Sequence, residues 1–292
     1  MGCTIQQFLG NLRWQNALAA LMVGLSSVCV AGEVTTSQFF SPTIDKDYPY
    51  SVYLPDATLT SGAALPVVYL LHGSFGSATD WLEQGDLEAT VDALIAAGEV
   101  PPVVVAMPGS NSWWLNGHNE AAESAFFNDL LPHIEANYPV SRERASRFIA
   151  GLSAGGYGAT RFALRRPELF AAAAALSPAT YLPLPPKDSS AYRHPAFLDA
   201  AGQFDAALWQ QNNYTQDWEL YRKRGIIVPF YINSGDHDEF AISYHAAVLF
   251  ETLRQHQPDA VEIRVVDGAH NWRVWRTTLP ETLTFLLSHH RP

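Results

Sequence analysis

Cysteine is nearly missing from this chain of 292 residues: there are 2, Cys3 and Cys29, and both fall in the N-terminal segment. A mature chain that begins after them has no thiol, which excludes disulfides, thiolate metal sites and a cysteine nucleophile. A domain of about 260 residues does not depend on disulfides, because its core is large enough. Positive charge is also scarce. Lys and Arg number 18 against 29 Asp and Glu, for a net charge of -11. Neither the total nor any local run is basic, so nucleic acid and anionic membrane surfaces are poor partners. No internal repeat and no low-complexity tract interrupts the chain. What remains is 48% hydrophobic and 16% charged, the composition of a protein with a sizeable packed core.

The first residues differ from the rest. Arg13 is the only charged side chain before Glu33, and "NALAALMVGLSSVCVAG" is an apolar run that closes on small residues. This pattern predicts a secretory signal over residues 1–32, cleaved near Ala31 or Gly32. The alternative, an N-terminal membrane anchor, is disfavoured by the shortness of the run and the polar "EVTTSQ" after it. The expectation is a secreted or periplasmic protein with no stable membrane span after cleavage.

Beyond residue 33, "SQFF" and "YSVYLP" alternate like short antiparallel strands. "LPVVYLLHG" is instead a continuous apolar run ending in glycine, as in a strand covered on both faces. Helical and strand patterns then alternate: helix "LEATVDALIAAG", strand "PPVVVAMPG", helix "AESAFFNDLLPHIEANY", strand "SRFIAG", helix "GYGATRFALRRP", strand "AAAAALS". Helix "DWELYRKRG", strand "IIVPFYINSG", helix "AISYHAAVLFETLRQH", strand "AVEIRVVDG" and a last helix from Trp272 to Ser288 complete the order. This alternation predicts one α/β domain over 33–292, a mostly parallel sheet with helices on both faces. Residues 181–215, rich in proline and isolated aromatics, read as an insertion over one end of the sheet.

In such a sheet, reactive groups gather in the loops after the C-terminal ends of strands. Gly151-Leu152-Ser153-Ala154-Gly155 is a G-x-S-x-G sequence between a predicted strand and a predicted helix. There the serine takes a strained turn that lifts its oxygen clear of the sheet, and only small residues fit around it. A serine hydroxyl needs a base, and in this arrangement acid and histidine follow it in chain order. His270, just past "VEIRVV" and before the last helix, stands where that histidine belongs. For the acid, "SGDHDEF" offers Asp236 and Asp238, which spacing does not separate, while Asp267 is too near His270 in sequence for good geometry. Acyl transfer also needs two N–H donors for the developing oxyanion: one from Ala154, the other from the loop "LLHGSFGSATDW".

The stretches "YSVYLP", "VVYLLHGSFGSATDW", "VVVAMPG", "FIAGLSAGGYGA" and "GAHNWRVW", in this order, resemble the esterase D family of α/β hydrolases. That family includes S-formylglutathione hydrolases, feruloyl and acetyl-xylan esterases, enterochelin esterases and bacterial mycolyltransferases. The resemblance spans most of residues 45 to 285 and implies an α/β-hydrolase fold, Ser153 as nucleophile and His270 as base. The family's acid ends a G-x-x-D pattern, here Gly235 and Asp238, so the resemblance favours Asp238. By position after "HG", it also implies the backbone N–H of Ser74 as the second oxyanion donor. Ala154 stands where methionine commonly follows the serine in the cytosolic S-formylglutathione hydrolases, which makes formylglutathione a poor candidate substrate.

The reading is a serine carboxylesterase working through an acyl-enzyme intermediate on a small-molecule or carbohydrate-linked ester, with no cofactor and no metal. An acyltransferase of the mycolyltransferase type and a non-catalytic carbohydrate-binding member of the fold are the alternatives. Trp113 and Trp114, in "NSWWLNGHNE", are expected to rim the substrate pocket, unless they bury themselves under the insertion. Trp272 and Trp275, three apart on the last helix, read as core.

Overall fold

The computed structural model describes residues 31–56 and 62–291. The expected signal, with Cys3 and Cys29, lies outside the described residues except for its last two positions. The strands are β1 (Glu33–Ser41), β2 (Lys46–Leu54), β3 (Val67–Leu71), β4 (Val104–Pro108), β5 (Arg147–Leu152), β6 (Ala172–Leu176), β7 (Phe230–Gly235) and β8 (Val261–Val266). They form one sheet in the order β1-β2-β4-β3-β5-β6-β7-β8. β1 and β2 form an antiparallel hairpin, β2 runs antiparallel to β4, and every later neighbour is parallel.

The helices are α1 (Asp80–Glu83), α2 (Leu87–Ala96), α3 (Ala122–Ala125), α4 (Leu131–Asn137), α5 (Ala154–Arg165), α6 (Ala206–Gln211), α7 (Tyr214–Arg224), α8 (Ile242–Arg254) and α9 (Trp272–Ser288). Alternate residues of a strand face opposite sides of the sheet, and β3 shows the result. Val67, Tyr69 and Leu71 share a core with Ile134 of α4, Phe162 of α5, Tyr221 of α7 and Leu249 of α8. Val68 and Leu70 share the opposite core with Val91 of α2 and Leu283 and Leu286 of α9. Both faces are therefore covered, which is why the central strands read as unbroken apolar runs. Each fully buried Val, Leu or Phe here contributes about 1.5–3 kcal/mol of transfer free energy.

A third apolar cluster joins Trp113, Tyr157, Tyr181, Phe197, Trp209 and Ile242. It also contains Ala154 and Ala179, which follow β5 and β6, so the insertion folds over the C-terminal ends of those strands. The insertion itself is built from 3-10 turns at Ser190–Arg193 and Pro195–Phe197 and from α6.

Several boundaries differ from the sequence reading. α7 starts at Tyr214, not Asp217, because the Asn213 side chain accepts the Thr215 N–H at 3.3 Å and caps the helix. The insertion as expected therefore ends inside α7. β7 starts at Phe230, after Pro229, which has no N–H to give to a ladder. The helix expected over 122–138 is interrupted by a π-helical turn at Phe126–Leu130.

Candidate active site

β5 is buried along its whole length and delivers Ser153 directly to the N-terminus of α5. Ser153 has φ 53° and ψ -114°, a conformation that costs a non-glycine residue about 1–3 kcal/mol. The surroundings hold it there. Its N–H donates to the Leu176 carbonyl at 2.9 Å, and its own carbonyl accepts the N–H groups of Tyr157 and Ala179, both at 3.0 Å. The neighbouring glycines answer to close backbone approach. A Cβ on Gly151 would lie 2.4 Å from the Gly155 carbonyl oxygen, and one on Gly155 would lie 2.5 Å from the carbonyl oxygens of Leu71 and His72. The second contact brings the loop after β3 against the first turn of α5.

Across the cleft, the loops after β7 and β8 bring Asp238 and His270 to the serine. His270 Nε2 lies 2.8 Å from Ser153 Oγ, and His270 Nδ1 lies 2.6 Å from Asp238 Oδ2. The Asp238 carboxyl is fully buried, and its other oxygen accepts the Phe240 N–H at 3.0 Å. The rings of Phe240 and Trp275 stand edge-on to the imidazole at 5.2 and 5.1 Å and confine it. The rival carboxylates are elsewhere. Asp236 is exposed and accepts from the Gly268 N–H at 3.0 Å and the His237 ring at 2.6 Å, contacts that hold its carboxyl below the usual range. Asp267 is exposed beside Arg273. A neutral imidazole in this position can take the serine proton, and the buried carboxylate stabilises the cation that results.

Ala154 opens α5, where helix geometry gives its N–H no intrahelical acceptor. Ser74 lines the same cavity as Ser153, and its hydroxyl accepts the Ser190 hydroxyl proton at 2.8 Å, tying the insertion to this loop. Beneath the loop lies His72, fully buried. Its Nε2 accepts the Ser110 N–H at 3.0 Å, so the proton must sit on Nδ1, which donates to the Gly73 carbonyl at 2.7 Å. Burial lowers the His72 pKa and keeps the ring neutral. The Gly73 carbonyl and the Ser74 N–H belong to one trans peptide and point in opposite directions. Holding the oxygen therefore sets the direction of that N–H.

The cavity around Ser153 and His270 measures about 410 Å³ and is also lined by Phe75, Asp80, Trp113, Arg193, Phe240 and Trp272. Trp113 is buried among the insertion's aromatics and still contributes to the cavity wall. Trp114 does not. It is wholly buried, and its indole N–H donates to the His72 carbonyl at 3.0 Å, so the expectation that it contacts substrate is corrected. Trp275 is buried in the core under α9, as expected, and Trp272 packs partly buried against the same core, yet both also line the cavity, at the start of α9 where the helix meets the site. Phe75 and Arg193 escaped sequence reading, since neither belongs to a motif. Phe75 carries a signal only in its backbone, a φ of 58° in an exposed aromatic residue. Among the described residues, the group with metal-ligand spacing is Asp236, His237 and Asp267, all exposed.

The chain matches the family model described as "Putative esterase" over residues 41–286. It is 32% identical over 173 residues to an endo-1,4-beta-xylanase/feruloyl esterase of Xylanibacter ruminicola, covering 56% of this chain and 24% of that protein. It is 26% identical over 220 residues to an acetyl esterase of Caldicellulosiruptor saccharolyticus, covering 72% of this chain and 79% of that one. The chain thus spans about a quarter of the length of the xylanase/feruloyl esterase. Among solved structures, a ferulic acid esterase superposes with a TM-score of 0.77 and 25% identity over 89% of this chain and 98% of its own. The fold is that of the α/β-hydrolase esterases. With a match running from the end of β1 to near the end of α9, the chain belongs to the Esterase family.

Proposed function

We propose that the protein is a serine carboxylesterase that cleaves its substrate through an acyl-enzyme intermediate. One observation carries the proposal: the unbroken chain from Asp238 through His270 to Ser153, at 2.6 and 2.8 Å, on a strained turn. His270 removes the Ser153 proton as the oxygen attacks the ester carbonyl, and the N–H groups of Ala154 and Ser74 receive the oxyanion. The imidazolium then protonates the leaving alcohol. Water, activated by the same imidazole, attacks the acyl-serine and releases the acid. Asp238 holds the imidazole in the tautomer that keeps Nε2 free to accept.

The relatives' names include feruloyl and acetyl esterases, which supports esters of carbohydrate-linked acids as the substrate class. The N-terminal pattern supports export, with the ester met outside the cytoplasm. The test uses p-nitrophenyl acetate and a fluorophosphonate. Turnover together with stoichiometric labelling of Ser153, both lost in Ser153→Ala, is the expected result. Undiminished turnover in Ser153→Ala would overturn the assignment.

A further inference from the structure

We infer, on the footing of that esterase reading, that a second groove beside the catalytic cavity binds a glycosyl unit of the substrate's alcohol half, with Phe75 as the platform between them. The groove measures about 530 Å³, larger than the catalytic cavity at about 410 Å³. Four parts of the chain build it: the loop after β3 from Phe75 to Thr79, the loop after β4 at Gly109–Asn111, the β1–β2 hairpin, and Glu120 ahead of α3. Phe75 lies in the walls of both spaces, so a ligand can pass from one to the other across its ring.

Phe75 is doubly unfavourable where it stands. Its φ of 58° strains a bulky residue, and 59% of it is exposed. No core contact explains such a placement, since the ring's aromatic partner is His194 of the insertion, 4.7 Å away. That contact braces one side of the ring and leaves the rest to the solvent between the two spaces. An exposed, braced aromatic at a junction of cavities is a stacking surface.

The walls indicate what stacks there. Ile44, Pro49 and Ala78 are apolar, while Asp47 and Asn111 are polar; the Ser77 hydroxyl is engaged within its own loop, donating to Asp80 at 2.9 Å and accepting the Thr79 N–H at 3.2 Å. Glu120 anchors the polar side: it is ion-paired with Lys46 and accepts the Ser110 hydroxyl proton at 2.8 Å. A saturated acyl tail in this groove would strip water from the Asp47 carboxylate and the Asn111 side chain without replacing its hydrogen bonds, at about 1–3 kcal/mol for each group left unpaired. A sugar ring places its C–H face on Phe75 and Pro49 and turns its hydroxyls toward Asp47 and Asn111.

The test compares kcat/KM for two esters of one acid, methyl ferulate and a feruloylated arabinoxylo-oligosaccharide. In the wild type the glycosyl ester is expected to be favoured by about tenfold or more. Asn111→Trp, which fills the groove from an exposed loop position, should bring that ratio close to one. Phe75→Leu, which keeps bulk and removes the ring, should lower it about threefold or more. An unchanged ratio in both variants overturns the inference. So does a groove-filled variant that loses activity selectively on long-chain acyl methyl esters, which would make the groove an acyl site. If the wild type turns over neither ester, the esterase reading fails on its own, and calorimetry with the unesterified oligosaccharide on Ser153→Ala protein still decides the groove. Binding that disappears on adding Asn111→Trp supports it, and no binding refutes it.

Discussion

Replacing Asp238 by asparagine tests the site at the atom that distinguishes a catalytic carboxylate from a structural one. The carboxyl makes two contacts of opposite kinds: Oδ1 accepts the Phe240 N–H at 3.0 Å, and Oδ2 faces His270 Nδ1 at 2.6 Å. A backbone N–H can only donate. The amide oxygen of asparagine must therefore take the Phe240 side, which turns its NH₂ group toward the imidazole. Nδ1 then has to accept, and the ring proton moves to Nε2, the atom 2.8 Å from Ser153 Oγ. The imidazole now donates to the serine and no longer serves as its base. Geometry is preserved and the tautomer is wrong, a change that lowers kcat by about 10⁴ in serine triads, or roughly 5.5 kcal/mol of barrier. The expected result on p-nitrophenyl acetate is a loss of that size for Asp238→Asn, with folding unchanged by circular dichroism. Asp236→Asn, which touches the Gly268 N–H and the exposed His237 ring but neither Ser153 nor His270, should stay within about threefold of wild type. A wild-type rate in Asp238→Asn, or the large loss in Asp236→Asn, would refute the reasoning.

Three further expectations follow from the same structure. His72→Leu removes the bond that orients the Gly73–Ser74 peptide and should cost about 10²–10³ in kcat with a smaller change in KM, while His72→Asn, which keeps a donor near Nδ1, should recover part of it; equal losses in both would deny the positioning role. Trp209→Ala empties the centre of the insertion's aromatic cluster and should cost about 3–5 kcal/mol in urea unfolding, with Trp113 displaced from the cavity wall and KM raised; a cost under about 1 kcal/mol would mean that the insertion is held by other contacts. Burial pushes the His194 pKa down to about 4 and lowers that of His72 as well, so the unfolded chain, with histidines near 6.5, binds protons first. Stability should therefore be flat above about pH 6.5 and fall as the pH drops toward 4, whereas Asp217, raised by burial, pulls the other way; melting temperatures of wild type and His194→Gln across pH 7.5 to 4.5 isolate the histidine, and parallel curves would dismiss it.

What could be read from the sequence was whatever is local along the chain. The periodicity of β3 to β8 and α9, the glycines at 151 and 155, and the histidine after β8 each record a constraint on neighbouring residues, and the fold class follows from their order. The choice between Asp236 and Asp238 was not of that kind. Two aspartates separated by one residue differ in which of them turns inward, and that depends on the Gly268 N–H, 32 positions away, capturing Asp236. Phe75 was illegible for a related reason. Nothing in "HGSFGS" states that an exposed ring will stand between two cavities, because the second cavity is walled by the β1–β2 hairpin, brought there by the antiparallel pairing of β2 with β4.

Trp113 and Trp114 show the limit most sharply, because adjacent identical residues received one expectation and met two fates. Trp114 has φ 57°, and a residue in the left-handed region rotates the chain so that successive side chains do not follow the regular alternation of a strand. One indole enters the insertion's cluster and borders the cavity, and the other turns under the loop after β3 to reach the His72 carbonyl. Bulky aromatics strongly disfavour this backbone region, so composition points the wrong way at that position. The strain is repaid through space: Trp114 holds the backbone of the residue whose ring orients the Gly73–Ser74 peptide. It therefore acts on the oxyanion loop from beneath, without touching the substrate.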